Sequence, residues 1–334
     1  MVDQSRGNSS ARLSVRACAW VLASLLGGVW PCAQAQEYPS RPIRMVIPFE
    51  PGATNDILGR WAGSKLGEAF GRQVLVENRA GAGGSIGVDF VAKSPADGYT
   101  LVLGNTGNLA VNPTLYPDLP YDPVRDLQPV TLLAKAPLIL VSHPSAPFKT
   151  VKDLIARAKS RPGAFTYGSG GSGSGGHLAM ELLKSLAKID VTHVPYKGAA
   201  PALLNVISGE LSLVFVGAAA ATVQIKAGKV HALAVSGERR LPAFAAMPTI
   251  EEAGVAGYNC TLWYGVLAPA GTPSLVVSRL QSILVRALQD PDIKARLADD
   301  GTEPAGSTPE EFSRLIRNEI ALWAPLIKAS GKSN

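Results

Sequence analysis

The sequence contains few of the side chains on which disulfides, metal sites and much of enzyme catalysis depend. Its 334 residues include three cysteines, and two of them, Cys18 and Cys32, lie in an N-terminal segment that we expect to be removed. The remaining Cys260 cannot form an internal disulfide or a zinc cluster, so we expect it to be a small buried apolar residue. The four histidines are not paired at metal-ligand spacing. These shortages argue against a disulfide scaffold and a metal centre.

Several enzyme motifs are also absent. The chain has no Gly-x-x-x-x-Gly-Lys-Ser/Thr phosphate loop and no Gly-x-Ser-x-Gly nucleophile elbow. Gly168, Gly170 and Gly173 match the dinucleotide fingerprint, but the nearest suitable acid, Asp190, precedes the next predicted strand instead of ending it. We therefore expect neither catalytic residues nor a cofactor.

Long apolar runs are missing as well, apart from one near the N-terminus. Three arginines precede an apolar run over residues 17–30, and a small-x-small signal ends at Ala35. This pattern predicts a signal peptide over residues 1–35 that is cleaved after Ala35, and hence an exported, periplasmic protein. Lipidation of Cys32 stays open as an alternative. No later run is long enough to cross a bilayer.

Charge and length narrow the class further. The formal net charge is +6, and the positive residues are scattered along the chain without forming a stripe. We therefore do not expect a nucleic-acid surface. About 300 residues without the signal peptide are long for a single core and suit two lobes.

Short β-rich runs alternate with segments whose apolar residues recur at helical spacing. Such alternation indicates mostly parallel sheets covered on both faces, in which ligands bind beyond the carboxyl ends of the strands. The predicted strands are 44–48, 74–77, 100–104, 136–142, 192–194, 211–216 and 231–236, and the predicted helices are 56–70, 86–93, 178–186, 199–208 and 219–227, with further helices beginning near Thr150 and Thr308.

Three strand-to-helix junctions are candidates for a binding site. They span residues 48–56, 104–108 and 167–177. The third is Tyr-Gly-Ser-Gly-Gly-Ser-Gly-Ser-Gly-Gly-His, which contains more glycines than a turn requires. A glycine-rich turn that leads into a helix exposes backbone N–H groups at the positive end of that helix, so it can bind an anion. For the first two junctions, a simple turn explains the residues equally well. His177 could donate a hydrogen bond to a carboxylate or could serve only capping and packing.

Ordered blocks along the chain give the sequence a family resemblance. It resembles the Bug-type extracytoplasmic solute-binding receptors of tripartite tricarboxylate transporters. The matching blocks are Tyr-Pro-Ser-Arg-Pro-Ile at 38–43, Pro48-Phe49 with Gly52 and Asp56, and the stretches 76–84, 95–101, 119–123, 193–198 and 268–273.

The resemblance implies an α/β fold of the two-lobed periplasmic binding protein type, a flytrap in which each lobe is a mixed sheet flanked by helices. One lobe is expected to combine residues 37–138 with 262–334, and the other to span residues 139–261. It further implies a periplasmic monomer that captures a small carboxylate and delivers it to membrane subunits of the transporter. A ligand sensor without transport stays open, and an exported enzyme is disfavoured because no triad, metal cluster or nucleotide motif is present.

The resemblance also implies which residues contact the ligand. They are Phe49, Gly52, Thr54, Thr106 and Gly107 from one lobe and Ser169, Gly170, Ser172 and Ser174 from the other. We add two candidates to this set: His177, from its place at a helix start, and Val216, from its place where the chain departs from the family pattern. Many relatives have Phe-Asp-Asn where this chain has Phe215-Val216-Gly217. Because valine cannot pair with an amino group, we expect an unaminated carboxylate with an apolar or aromatic body instead of an acidic amino acid.

Overall fold

The computed structural model describes residues 38–51, 54–196, 198–299 and 301–329. The predicted signal peptide (1–35) lies outside these residues, and so does Gly52 of the first predicted ligand loop. The described residues from Arg41 onward form one compact unit. None of the helices in the described ranges combines the length and the hydropathy that crossing a bilayer requires.

The first part of the fold is a parallel sheet. Strand β1 lies between β2 and β3 and is parallel to both. Apart from Arg44, every residue of β1 is buried, as is typical of a strand that is covered on both faces. The elements are β1 (Ile43–Ile47), α1 (Thr54–Phe70), β2 (Val74–Asn78), α2 (Ser85–Ala92), β3 (Thr100–Asn105), a π-helical turn (Gly107–Val111), α3 (Asn112–Leu115) and β4 (Leu127–Ser142).

The second part repeats the alternation. Strand β5 pairs in parallel with β6 and β7. Helix α4 begins as predicted, because the Thr150 side chain accepts a hydrogen bond from the Asp153 backbone N–H. The elements are α4 (Val151–Ser160), β5 (Thr166–Ser169), α5 (Gly175–Ala187), β6 (Thr192–Pro195), α6 (Ala199–Ile207), β7 (Leu213–Gly217), α7 (Ala218–Lys226) and β8 (His231–Val235).

The C-terminal part returns to the first sheet. The last helix begins with a capping box: the Thr308 N–H donates to Glu311 Oε2 (2.9 Å), and the Glu311 N–H donates to Thr308 Oγ1 (3.1 Å). This start confirms the helix predicted there. The elements are β9 (Thr261–Pro269), α8 (Ser274–Ala287), α9 (Pro291–Asp299), β10 (Glu303–Pro304) and α10 (Pro309–Ala329).

Strand β4 belongs to both parts of the sheet. Its residues 127–137 pair with β9, and its residues 138–142 pair with β7 and β8. The hydrogen-bonded order is therefore β2-β1-β3-β9-β4-β7-β5-β6, with β8 and β10 also pairing with β4. The division into lobes of residues 37–138 plus 262–334 and of residues 139–261 stays a prediction.

The expectation of mostly parallel sheets is wrong in the centre of the fold. Strand β9 is antiparallel to β3 and to β4, and β4 is antiparallel to β7 and β8. Strand–helix alternation predicts only pairs that a crossover helix connects, and β4 and β9 pair with strands far away in the sequence. The α/β fold with mixed sheets that the family resemblance implies is confirmed.

Apolar side chains pack on both faces of the sheet, and β7 shows the alternation. Leu213 and Phe215 belong to one buried cluster, and Val214 and Val216 belong to a second. Successive side chains of a strand point to opposite faces. The end of β7 therefore has apolar side chains on both faces of the sheet.

Candidate functional site

A cavity of about 520 Å³ lies where several strands end. Phe49 follows β1, Asn105 ends β3, Gly170 follows β5 and Gly217 ends β7, and all four line the cavity. This is the edge of an α/β sheet at which ligands usually bind. The other lining residues are Gly83, Thr106, Gly107, Asn112, Leu115, Tyr116, Leu138, Ser172, Gly173, Ser174, Gly175, Gly176, Leu178, Gly198, Ala199, Phe215, Val216, Leu262 and Tyr264.

Three helices begin at this cavity without a side-chain cap. Helix α5 follows Ser174, α6 follows Gly198 and α7 follows Gly217, and none of these residues makes a capping hydrogen bond through a side chain. The first N–H groups of a helix have no partner within the helix, and the helix dipole adds partial positive charge there. Three such ends at one cavity favour the binding of an anion.

The side chains that line the cavity are electrically neutral. Among the lining residues that the structure describes, none is Lys, Arg, His, Asp or Glu. On the described wall, amide dipoles rather than cationic side chains are available to stabilise an anion. An ammonium group finds no carboxylate on the described wall.

Much of the remaining wall is apolar. Leu115, Leu138, Phe215, Val216 and Leu262 contribute hydrocarbon or aromatic surface to it. Small-molecule sites typically combine apolar walls with a few placed polar groups that fix the orientation of the ligand. The cavity thus suits a ligand that joins an anionic group to an apolar body.

The glycine-rich loop between β5 and α5 folds tightly on itself. The backbone N–H and the hydroxyl of Ser174 both donate to the Gly171 carbonyl, at 3.1 and 2.7 Å. Gly171 and Gly173 have φ values of +111° and +78°, a conformation that favours glycine. At Gly170, a Cβ atom would lie 3.3 Å from the backbone nitrogen of Ala199. Backbone conformation therefore favours glycine at positions 171 and 173, and the close approach of α6 favours it at position 170.

Two histidines contact this loop from behind. His193 Nε2 lies 2.6 Å from Ser169 Oγ, and that hydroxyl oxygen accepts a hydrogen bond from the Gly171 N–H (3.1 Å). His177 Nδ1 accepts a hydrogen bond from the Gly173 N–H (3.2 Å). The two imidazole centroids are 4.5 Å apart. The buried His177 and the half-buried His193 thus help to fix the backbone of the loop.

A charged pair extends this network away from the cavity. The Tyr167 hydroxyl donates to Glu181 Oε1 (2.7 Å), and Lys184 Nζ donates to the same oxygen (2.8 Å). Burial acts to raise the pKa of Glu181, but the Lys184 ammonium and the Tyr167 hydroxyl outweigh it, so the pKa is lowered. Burial, together with the Glu181 carboxylate, raises the pKa of Tyr167. Tyr167 also stacks on His193, at 4.8 Å between centroids.

Two threonines join the loops of the first part to strand β9. Thr106 is 2% exposed, and its Oγ accepts a hydrogen bond from the Trp263 backbone N–H at 3.0 Å. Thr54 hydrogen-bonds the buried side chain of Tyr264, whose pKa is raised by burial and partly lowered by this contact. Trp263 and Tyr264 are neighbours on β9, so one strand positions both loops.

The predicted ligand residues fall into two groups. Ser169 and His177 are buried behind the glycine loop, and Thr54 contacts Tyr264. Those that line the cavity are Phe49, Thr106, Gly107, Gly170, Ser172, Ser174 and Val216. Contact of either group with a ligand stays a prediction.

The sequence reasoning missed several lining residues. Gly83 and Gly198 lie inside blocks that carry the family resemblance, so the blocks themselves were a usable signal. Leu138, Leu262 and Tyr264 come from β4 and β9. They have no local signal, because only the antiparallel pairing of these strands brings them to the cavity.

Comparison with known proteins identifies the family. The model of the tripartite tricarboxylate transporter family receptor matches residues 58–332. The chain belongs to this family. Members of the family are solute-binding receptors, and the receptor described here shares their fold.

Curated relatives match almost the whole receptor. It is 39% identical over 291 residues to the protein in the tcbD-tcbE intergenic region of Pseudomonas sp. strain P51, covering 87% of this chain and 86% of the relative. It is 35% identical over 305 residues to protein BugT of Bordetella pertussis, covering 91% and 94% of the two chains.

Solved structures show the same architecture. Rpa4515 of Rhodopseudomonas palustris, solved with adipate, is 38% identical, with a TM-score of 0.77 over 88% of this chain and 99% of that one. MatC of the same organism, with bound malate, is 30% identical, with a TM-score of 0.74 over 87% and 100%. The periplasmic binding protein BugD is 32% identical, with a TM-score of 0.74 over 88% and 99%.

Proposed function

We propose that the protein is a periplasmic receptor that holds a small carboxylate in the cavity and delivers it to membrane subunits of a tripartite tricarboxylate-type transporter. The observation that carries this proposal is the meeting of three uncapped helix N-termini, those of α5, α6 and α7, at one cavity whose described wall is neutral. Amide donors suit the reversible binding of an anion. Catalysis also needs a general base or a nucleophile, which amide donors do not supply.

The strength of such binding follows from its hydrogen bonds. Each hydrogen bond from an amide to a charged carboxylate contributes about 1.5–3 kcal/mol. Immobilising the ligand and ordering the protein around it offset part of this gain. Three or four such bonds contribute about 5–12 kcal/mol before this cost is subtracted. Micromolar affinity, about 8 kcal/mol, therefore also draws on burial of the ligand's apolar body.

We infer that the ligand carries no amino group. Val216 lines the cavity at the end of β7, and no described lining residue is acidic. An ammonium group would lose its water shell in this cavity and gain no counter-charge. The relatives with bound adipate and malate support an unaminated carboxylate for this receptor too. The leucines of the wall suit an apolar or aromatic body.

Ligand capture is proposed to close two lobes, residues 37–138 with 262–334 and residues 139–261. The pairing supports this division, since β4 bonds with β9 up to Pro137 and with β7 from Leu138 onward. The cavity is lined from both sides of that point, by Phe49 and Thr106 and by Gly170 and Gly217. A ligand between the two groups contacts both and favours the closed state.

The location is part of the same proposal. We propose that the signal peptide is removed after Ala35 and that the mature chain works in the periplasm as a monomer. N-terminal sequencing of the protein purified from the periplasmic fraction tests the cleavage site. A mature chain beginning at another residue, or a lipid on Cys32, contradicts it.

The experiment that tests the function is native mass spectrometry of freshly purified protein. We expect a co-purified small acid that is recovered unchanged after denaturation. Mono-, di- and tricarboxylates are then compared in a thermal-shift assay. Those that bind should raise the melting temperature of the protein, because a ligand that binds only the native state stabilises it. Failure of every carboxylate to bind or to shift the melting temperature contradicts the proposal.

Titration calorimetry tests the amino-group inference separately. Adipate and malate are compared with aspartate and glutamate. We expect the plain carboxylates to bind more tightly. Tighter binding of aspartate or glutamate than of any plain carboxylate contradicts the inference but leaves the receptor function intact.

Gly170→Val tests the glycine loop as part of the site. A branched side chain there meets the start of α6, because even a Cβ atom comes within 3.3 Å of Ala199 N. We expect the ligand-induced thermal shift to be lost while circular dichroism stays native. Leu275→Ala, at a side chain that is 83% exposed on α8, is the control and should keep the shift. An unchanged shift in Gly170→Val means that the loop is only a turn.

A further inference from the structure

A hydrogen bond between the glycine loop and His177 depends on the protonation state of that histidine. The Gly173 N–H donates to His177 Nδ1 at 3.2 Å, so Nδ1 must present a lone pair. An imidazolium carries protons on both nitrogens and cannot accept this bond. The loop geometry of the structure therefore requires a neutral His177.

The loop and the cavity share residues. Gly173 and Ser174 line the cavity, and the first turn of α5 follows them directly. When His177 is protonated, its Nδ1 carries a hydrogen that points at the N–H of Gly173. The two donors repel each other, and the hydrogen bond between them is lost. The Gly173 peptide must then turn away, and the donors next to it move with it.

We propose that His177 is a positioning residue, whose neutral imidazole keeps the glycine loop in its ligand-binding shape, so that protonation of His177 and binding of a carboxylate oppose each other. This inference rests on the proposed receptor function. It gives His177 a role through the backbone of Gly173, behind the surface that faces the ligand.

Two features of the surroundings of His177, a second imidazole and the helix dipole, disfavour its charged form. The imidazole of His193, on β6, is 4.5 Å away between centroids, so two imidazolium ions would repel each other strongly. His177 is also the third residue of α5, where the helix dipole disfavours a cation. Both effects raise the electrostatic cost of a charged His177.

The other titratable groups named on or against α5 have hydrogen-bond partners of their own. Glu181 lies one turn after His177 and attracts a proton to it, but its carboxylate also accepts bonds from Lys184 and from Tyr167 on β5. The Tyr258 hydroxyl donates to the Ala179 carbonyl of the same helix. Helix α10, which also packs on α5, carries Glu319, whose carboxylate accepts a bond from Trp323.

The second histidine contributes to the same loop. His193 Nε2 and Ser169 Oγ are 2.6 Å apart, and Ser169 Oγ also bonds with both the N–H and the carbonyl of Gly171. One histidine thus acts near each end of the loop. Because their rings touch, a proton on either changes the electrostatic cost of a proton on the other.

The test compares pH profiles of adipate binding by calorimetry, from about pH 5 to pH 8, where imidazoles titrate. For the wild type we expect the affinity for adipate to fall as the pH drops below the pKa of His177. The steepest possible fall is tenfold per pH unit, because one proton is linked to binding. In His177→Asn, the Oδ1 atom occupies the position of Nδ1, accepts the Gly173 bond and does not titrate. This variant should lose the additional acid dependence, whereas protonation of adipate itself affects both proteins alike.

Two further variants separate positioning from general damage. His177→Leu removes the acceptor, so we expect affinity at neutral pH to fall about tenfold, a loss of about one hydrogen bond, while His177→Asn stays near wild type. His143→Asn changes a histidine that bonds Ser145 near the surface and should keep the wild-type pH profile. Identical pH profiles of wild type and His177→Asn overturn the inference.

A measurement without ligand keeps the inference separate from the receptor function. In ¹⁵N NMR spectra of the unliganded protein, we expect His177 to be neutral with its proton on Nε2. The Gly173 amide resonance should shift along the titration curve of His177. A Gly173 resonance that does not follow this titration overturns the inference even if carboxylates bind. Absence of carboxylate binding alongside a coupled titration contradicts the receptor function alone.

Discussion

Thr106 Oγ accepts a hydrogen bond from the backbone N–H of Trp263, 157 residues later in the chain, at 3.0 Å. Thr106 lines the cavity at the end of β3, and Trp263 lies on β9, which pairs with both β3 and β4. One threonine hydroxyl thus ties a cavity loop to the strand that joins the two parts of the sheet. The geometry of the cavity therefore depends on a bond between residues that are far apart in the sequence.

Thr106→Val should destabilise the protein by about 1–3 kcal/mol, because valine leaves the buried Trp263 N–H without its acceptor. Chemical denaturation measures the change in the free energy of unfolding. Thr106→Ser keeps the hydroxyl and is the control. Equal stability of the valine and serine variants would show that the bond contributes nothing measurable.

Val216→Asp should weaken the binding of a plain carboxylate by more than tenfold. The new acid lies in a cavity with no described cationic side chain, and two carboxylates about 4 Å apart repel by about 4 kcal/mol at an effective dielectric constant near 20. Val216→Asn is neutral and of similar size, so it separates charge from shape. Calorimetry with adipate measures both variants, and equal affinities would contradict the electrostatic explanation.

Lys184→Met should destabilise the protein at neutral pH by about 1–3 kcal/mol, since Lys184 and Glu181 are both largely buried. The lowered pKa of Glu181 means that its pairing contributes stability above its unfolded pKa of about 4.3, and this contribution is lost as pH falls through the folded pKa. The difference from wild type should therefore shrink below about pH 4. Lys93→Met breaks a pair whose lysine is 63% exposed and should cost much less. A difference that does not vary with pH would contradict this account.

Gly265→Ala should destabilise the protein by about 3 kcal/mol, because a Cβ there lies 2.4 Å from two ring atoms of Phe312 and 2.9 Å from the Thr131 carbonyl oxygen. Phe312→Leu removes the outer ring atoms. In a double-mutant cycle, the double variant should cost less than the sum of the single variants. Strict additivity would mean that the ring is not what excludes the methyl group.

Features with local signals could be predicted from the sequence. Thr150 and Thr308 indicated where two helices begin. Each threonine hydroxyl accepts a hydrogen bond from the backbone N–H three residues later. The glycine loop was recognisable because its composition exceeds the needs of a turn. The parallel strands followed from alternation with helices. At the two helix starts and in the glycine loop, the determining contacts lie within a few residues of one another.

Features that depend on distant pairing could not be predicted in this way. Nothing near Leu138, Leu262 or Tyr264 indicates that β4 and β9 bring them to the cavity. The placement of Ser169 and His177 behind the loop depends on side-chain direction, and composition does not encode this. The family resemblance supplied the mixed sheet, which periodicity alone had described as mostly parallel.

The absence of charged side chains from the described wall of the cavity has a consequence for the environment in which the receptor works. Salt screens exposed charges that lie more than a Debye length of about 8–10 Å apart, but it scarcely affects buried dipoles at hydrogen-bonding distance. A ligand held at the starts of α5, α6 and α7 is bound by groups that mobile ions do not reach. Affinity should thus be nearly the same in dilute and in saline surroundings, so changes in external ionic strength would leave capture of the solute largely unaltered.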